Sequence, residues 1–138
     1  MSKYEALAEM FIFETSQLID QLEISILIIE KSNTYTIEWI NEIFRAMHTI
    51  KGSSSVMMLI NVASVSHAME DLFYYIREER PQHIDLPALS DLILEGVDFI
   101  KVELHKFKYG ETADGNPDDL IHRIMTIPFR EVEDINLC

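Results

Sequence analysis

Two short runs carry side chains able to exchange protons or meet charge: Phe44-Arg45-Ala46-Met47-His48-Thr49-Ile50-Lys51-Gly52 and His67-Ala68-Met69-Glu70. Antiparallel helices bring together residues whose numbers share a constant sum, and the pairs His48 with Glu70 and Lys51 with His67 share one. A single helical hairpin therefore sets Glu70 opposite His48 and His67 opposite Lys51. A carboxylate accepting one ring N–H of a histidine holds its tautomer and ring angle, and leaves the opposite nitrogen with an available lone pair. That nitrogen is a nucleophile. Lys51, one turn after His48 on the same helix face, places a flexible positive charge where phosphoryl oxygens would arrive. The set could capture a phosphoryl group on His48, and Gly52, followed by small serines, would leave room for the protein that delivers it.

Other chemistries fit less well. The five histidines, His48, His67, His83, His105 and His122, include no pair spaced as in His-Glu-x-x-His, so the sequence predicts no metal site. No serine or cysteine sits in a strand-to-helix elbow, which argues against a hydrolytic triad. Gly52, Gly96, Gly110 and Gly115 are isolated, so the chain shows no glycine-rich nucleotide loop, and a phosphoryl donor must come from elsewhere.

The elements that must position these residues read as helices. Apolar residues recur every three to four positions, sustained alternation is missing, and Gly and Pro number four each. Ser2 and Glu5 form a capping-box signature for a first helix over about 3–30, with Leu7, Phe11, Leu18, Leu22, Ile26 and Ile29 as its core stripe. Ile12, Ile19 and Ile28 fall off that stripe, on a second face read as core. Thr36 caps a second helix whose Ile40, Ile43, Phe44 and Met47 turn inward, and Gly52-Ser53-Ser54-Ser55 is expected to interrupt or end it. A third helix begins near Asn61 and stops before Pro81. Asp85 and Pro87 open a fourth, over about 86–109, closing at Gly110. The loop from Glu111 to Gly115 reads as polar and flexible, and Asn116-Pro117-Asp118 announces a short fifth helix ended by Pro128. Met10, Met47, Met69 and Met125 read as core filling. The expected fold is all-α: an antiparallel up-and-down four-helix bundle over residues 1–127 with an additional short fifth helix, and residues 128–138 as tail or linker.

Composition narrows the partners. A formal charge of −13 over 138 residues repels nucleic acid and anionic lipid. No apolar run approaches the ~20 residues of a membrane span, and the lone Cys138 permits no intrachain disulfide, so a cytoplasmic setting is expected.

These residues resemble the histidine-phosphotransfer (HPt) domain, and within it the N-terminal phosphotransfer domain of chemotaxis-type histidine kinases. Its pattern is close to Phe-Arg-Ala-x-His-x-Ile-Lys-Gly followed by His-x-x-Glu. The resemblance extends through the long first helix, the Leu-rich fourth and the short fifth. It implies that His48 is phosphorylated on Nε2, with Glu70, Lys51 and His67 as a supporting hydrogen-bond cluster. It also implies a histidine-kinase ATP-binding domain as donor and a response-regulator receiver domain as acceptor, these partners holding ATP and Mg²⁺ while this chain binds no cofactor. The family usually has further glycines, including a glycine-phenylalanine pair, where this chain has Ser53, Ser55, Met58 and Leu59. A helical adaptor or dimerisation module without phosphotransfer is the alternative reading.

Overall fold

The computed structural model describes residues 2–127, which form five helices: α1 (Lys3–Ser32), α2 (Ile37–Val56), α3 (Ile60–Glu79), α4 (Leu86–Lys108) and α5 (Asp118–Met125). The expected tail at 128–138 lies outside the described residues. The cap residues act as their types dictate. Ser2 Oγ accepts from the Glu5 N–H at 3.1 Å, Thr36 Oγ1 from that of Trp39 at 3.1 Å, and Asp85 Oδ1 from that of Ala88 at 3.1 Å. Gly110, after the last turn of α4, takes φ 74°, a left-handed conformation that side chains rarely adopt.

The four long helices close into a ring. α1 packs on α2 and α4, α2 on α3 and α3 on α4, while α5 lies over α3 and α4. Ile40, Ile43, Met47 and Ile50 of α2 meet Val62, Val65, Met69, Leu72, Phe73 and Ile76 of α3 and Leu89, Ile93, Val97 and Ile100 of α4 in one fully enclosed core. A Cβ at Gly96 would stand 2.6 Å from Met69 Cε, so the bare glycine lets the Met69 side chain lie against α4.

Several details differ from the sequence reading. On α1 the buried stripe is Phe11, Thr15, Ile19, Leu22, Ile26 and Ile29, which adds Thr15 and keeps Ile19 in the core. Leu7 and Ile28 are exposed instead, as are Met10 and Met125. A helix with apolar residues on two faces does not reveal from periodicity which face is inner. α2 does not end at Gly52 but runs to Val56. The serine hydroxyls fold back onto their own helix, Ser53 Oγ donating to Thr49 O at 3.0 Å and Ser55 Oγ to Lys51 O at 2.8 Å, so they are satisfied without ending it.

The loop after α4 is anchored. Glu103, 1% exposed, accepts from the Gly115 N–H at 2.6 Å and from Asn61 Nδ2 at 2.7 Å, and Lys106 Nζ lies 3.0 Å away. Asn61 also donates to Gly115 O at 3.0 Å, tying the start of α3 to the approach to α5. Burial pushes the Glu103 carboxyl up, but the Gly115 N–H, Lys106 and Asn61 outweigh it and hold the pKa below the ordinary carboxylate value. A depressed folded pKa contributes stability that is complete above the unfolded value of about 4.3 and is lost as pH falls through the folded one. Glu103→Gln is therefore expected to cost about 1–3 kcal/mol at neutral pH and to flatten the acid limb of the stability profile, read by urea unfolding between pH 3 and 7. An unchanged acid limb would show that Glu103 does not anchor this loop.

Candidate functional site

His48 sits in the middle of α2, its half-buried neighbour Phe44 one turn before it and Lys51 one turn after. The buried Met47 and Ile50 fix the rotation of this helix about its axis, which turns His48 outward with its side chain 64% exposed. Glu70 reaches it from α3, with a side chain only 10% exposed. His48 Nδ1 donates to Glu70 Oε2, and Lys51 Nζ donates to Glu70 Oε1 at 2.8 Å.

Burial pushes the Glu70 carboxyl up, yet the hydrogen bonds and charge of Lys51 and His48 more than offset this and hold its pKa below the ordinary carboxylate value. Glu70 is therefore ionised at neutral pH. An ionised carboxylate only accepts, so the proton of neutral His48 resides on Nδ1 and the lone pair on Nε2. The second oxygen draws Lys51 to the same edge of the site. One buried acid thus sets both the nucleophile and the cation beside it.

The remaining expectations divide. His67 shares the α2–α3 register with Lys51, but its ion pair is on its own helix, where Nε2 lies 3.5 Å from Asp71 Oδ2. His67, Glu70 and Asp71 do offer one ligand atom each within 4.8 Å of one another, a grouping that histidine spacing alone does not reveal. Gly52 is exposed, and a Cβ there would meet nothing within 4 Å. Nothing inside the bundle requires this glycine, and in a helix interior it costs about 0.5–1 kcal/mol relative to alanine. Gly52→Ala is expected to raise the melting temperature by a few degrees in calorimetry while lowering the rate of phosphoryl exchange with a partner protein. An equal rate would remove the access role.

Sequence reasoning placed Phe44 in the core stripe and missed its part in the site. Its ring stacks on His48 at 6.4 Å between centroids, 15° from parallel. The Arg77 guanidinium stands 4.5 Å from the Phe44 centroid and 5.3 Å from that of Tyr74, and Arg77 Nη1 lies 3.4 Å from Asn41 Oδ1. These contacts make a wall on the side of His48 away from Lys51. The signal was available: Phe44 precedes His48 by four residues, and Tyr74 and Arg77 continue the Glu70 face.

The Hpt domain family matches residues 6–107 of this chain, a span that holds the bundle and all five expected site residues. The chain belongs to the Hpt domain family. The solution structure of the histidine phosphotransfer domain of CheA superposes with a TM-score of 0.76 and 29% identity, covering 91% of this chain and 92% of that one. The chemotaxis protein CheA of Treponema pallidum (strain Nichols) is 36% identical over 120 residues, and the sensor histidine kinase CheAY of Helicobacter pylori (strain ATCC 700392 / 26695) 31% over 105. These matches take in 87% and 75% of this chain but only 14% and 13% of those proteins. This Hpt domain is a phosphotransfer module of two-component signalling. No helix among its described residues is long and apolar enough to cross a membrane.

Proposed function

We propose that Nε2 of His48 is the phosphoryl acceptor of this Hpt domain. The donor is the ATP-binding domain of a histidine kinase, and the final acceptor is an aspartate of a response-regulator receiver domain, in the cytoplasm. In the first step the Nε2 lone pair forms the N–P bond as the bond from the γ-phosphorus to the ADP oxygen breaks. In the second, a carboxylate oxygen of the receiver forms the new P–O bond as the N–P bond breaks and the lone pair returns to Nε2. Nδ1 keeps its proton throughout, so the imidazole carries positive charge while phosphorylated and the adjoining Glu70 carboxylate stabilises it.

The observation that carries this reading is the shared carboxylate: Glu70 accepts from both His48 Nδ1 and Lys51 Nζ on an otherwise open face. Phosphoryl transfer depends on in-line positioning and charge neutralisation more than on covalent help, and a rigid bundle face supplies both. ATP and Mg²⁺ belong to the partners in this scheme. The test is incubation with radiolabelled ATP and a chemotaxis-type kinase lacking its own phosphotransfer domain, then peptide mapping. Acid-labile, base-stable label on the peptide containing His48 is the expected result, and label on any other residue would overturn the assignment.

A further inference from the structure

α1 carries two seams built from three- and four-residue spacings, and the bundle uses only one. The inner seam includes Phe11, Thr15, Leu22, Ile26 and Ile29. The outer runs Ala6, Met10, Phe13, Gln17, Asp20, Ile24, Leu27, Lys31, and every member is exposed. Phe13 is 63% exposed and Ile24, Leu27 and Ile28 60% each, a density of bare apolar side chains that a surface helix does not need for folding. The spacing of the outer seam is that of a coiled-coil interface.

We infer that a second copy of this chain covers this face, its α1 antiparallel to the first. In that register Met10 lies opposite Leu27 of the other copy, Phe13 opposite Ile24, Gln17 opposite Asp20 and Ala6 opposite Lys31. Each pair occurs twice about the two-fold axis. Apolar meets apolar at two successive levels on each side of the centre, the small Ala6 leaves room for the Lys31 stem at each end, and at the centre a Gln17 amide N–H donates to an Asp20 carboxylate. An unrelated partner would not require the seam to be its own complement, whereas a two-fold interface does. Ile28, beside Ile24 and Leu27, widens the apolar end.

Size and charge set the strength. The seam spans roughly 38 Å at 1.5 Å per residue and is about 10 Å wide, or roughly 400 Å² per copy, well under the ~800 Å² of a standard interface. The dimer is weak and concentration-dependent. Each copy carries −13, and Glu9 falls on the same flank as Glu30 of the other and near its level, so repulsion opposes pairing and salt favours it. α1 packs on α2 and α4 but not on α3, so it lies across the ring from the helix that supplies Glu70. Both His48 faces stay open in the pair, and this inference does not rest on the phosphotransfer reading.

Sedimentation equilibrium from about 10 µM to about 1 mM is expected to show the mass rising from the monomer value of 16.0 kDa toward twice that, with tighter association as NaCl goes from ~0.05 to ~0.5 M. Phe13→Glu and Ile24→Glu should each abolish the rise without changing helicity or melting temperature, since both side chains are exposed. On a Cys138→Ser background, M10C/L27C should oxidise to linked dimers. I24C should not, because the two positions would stand roughly 16 Å apart, beyond the ~7 Å that a disulfide tolerates. Monomer throughout, dimerisation untouched by Ile24→Glu, or ready linkage through I24C would each overturn the proposal.

Discussion

His48→Gln is expected to remove all acid-labile label that a chemotaxis-type kinase places on this Hpt domain. Glutamine can still donate toward Glu70, so the hydrogen bond to the α3 carboxylate survives in kind, but the amide has no lone pair comparable to Nε2 of imidazole. The fold should not notice. With 64% of its side chain exposed, His48 contributes little packing, and the stability change should stay within about 0.5 kcal/mol. Loss of label with unchanged unfolding would isolate the nucleophile. The other four histidines are no substitutes, because none has its ring N–H held by a buried carboxylate: His67 stands beside the exposed Asp71, and no other histidine forms an ion pair among the described residues. Residual label above a few per cent in the variant would show a second acceptor and sink the single-site scheme.

The second large effect belongs to Glu70. Glu70→Ala takes away the acceptor that holds the proton on Nδ1 and the anion that draws Lys51 in, so one substitution disorders both. Orienting carboxylates of this kind are worth about 10–100-fold, and the initial rate of phosphorylation from ATP should fall by that order. The mechanism behind the loss is separable from simple damage: nitrogen NMR of His48 should report Nδ1–H in the native domain and a mixture of tautomers in the variant. Because its folded pKa is lowered, the Glu70 pairing is intact above pH ~4.3 and weakens only as pH falls through the folded value, so a rate profile from pH 6 to 9 should carry no Glu70 step. A native rate in Glu70→Ala, or an unaltered tautomer, would mean that the carboxylate does not orient the ring.

Much of the bundle is legible in the sequence because helix signals are local. Ser2, Thr36 and Asp85 cap where they were expected, each acting on a backbone N–H three residues away. The constant-sum pairing of α2 with α3 brought His48 to Glu70, and the same register brings Phe44 beside Tyr74 and Asn41 beside Arg77. Helical hairpins joined by short turns leave few registers to choose from, so one apolar pattern per helix is enough to select one.

The failures share a different cause. On α1, Leu7 and Ile28, both read as core, lie on the surface because two apolar seams interleave along one helix, and hydropathy cannot rank them. His67 pairs with Asp71 because two side chains one turn apart on the same helix can meet without any help from a neighbouring element. The loop before α5 is held by Glu103 and Asn61, residues 12 and 54 positions from Gly115, and no local signal marks such a bond.

The sequence by itself determined the helices, the capped starts of α1, α2 and α4 and the pairing that joins His48 to Glu70, because those follow from periodicity, caps and the fixed rise of a helix. Only the tertiary structure decided which nitrogen of His48 faces Glu70, that Lys51 shares the same carboxylate, that Phe44 and Arg77 wall the ring, and which seam of α1 faces outward. Those are matters of rotation about helix axes and of side-chain direction, set by how all the buried residues pack at once.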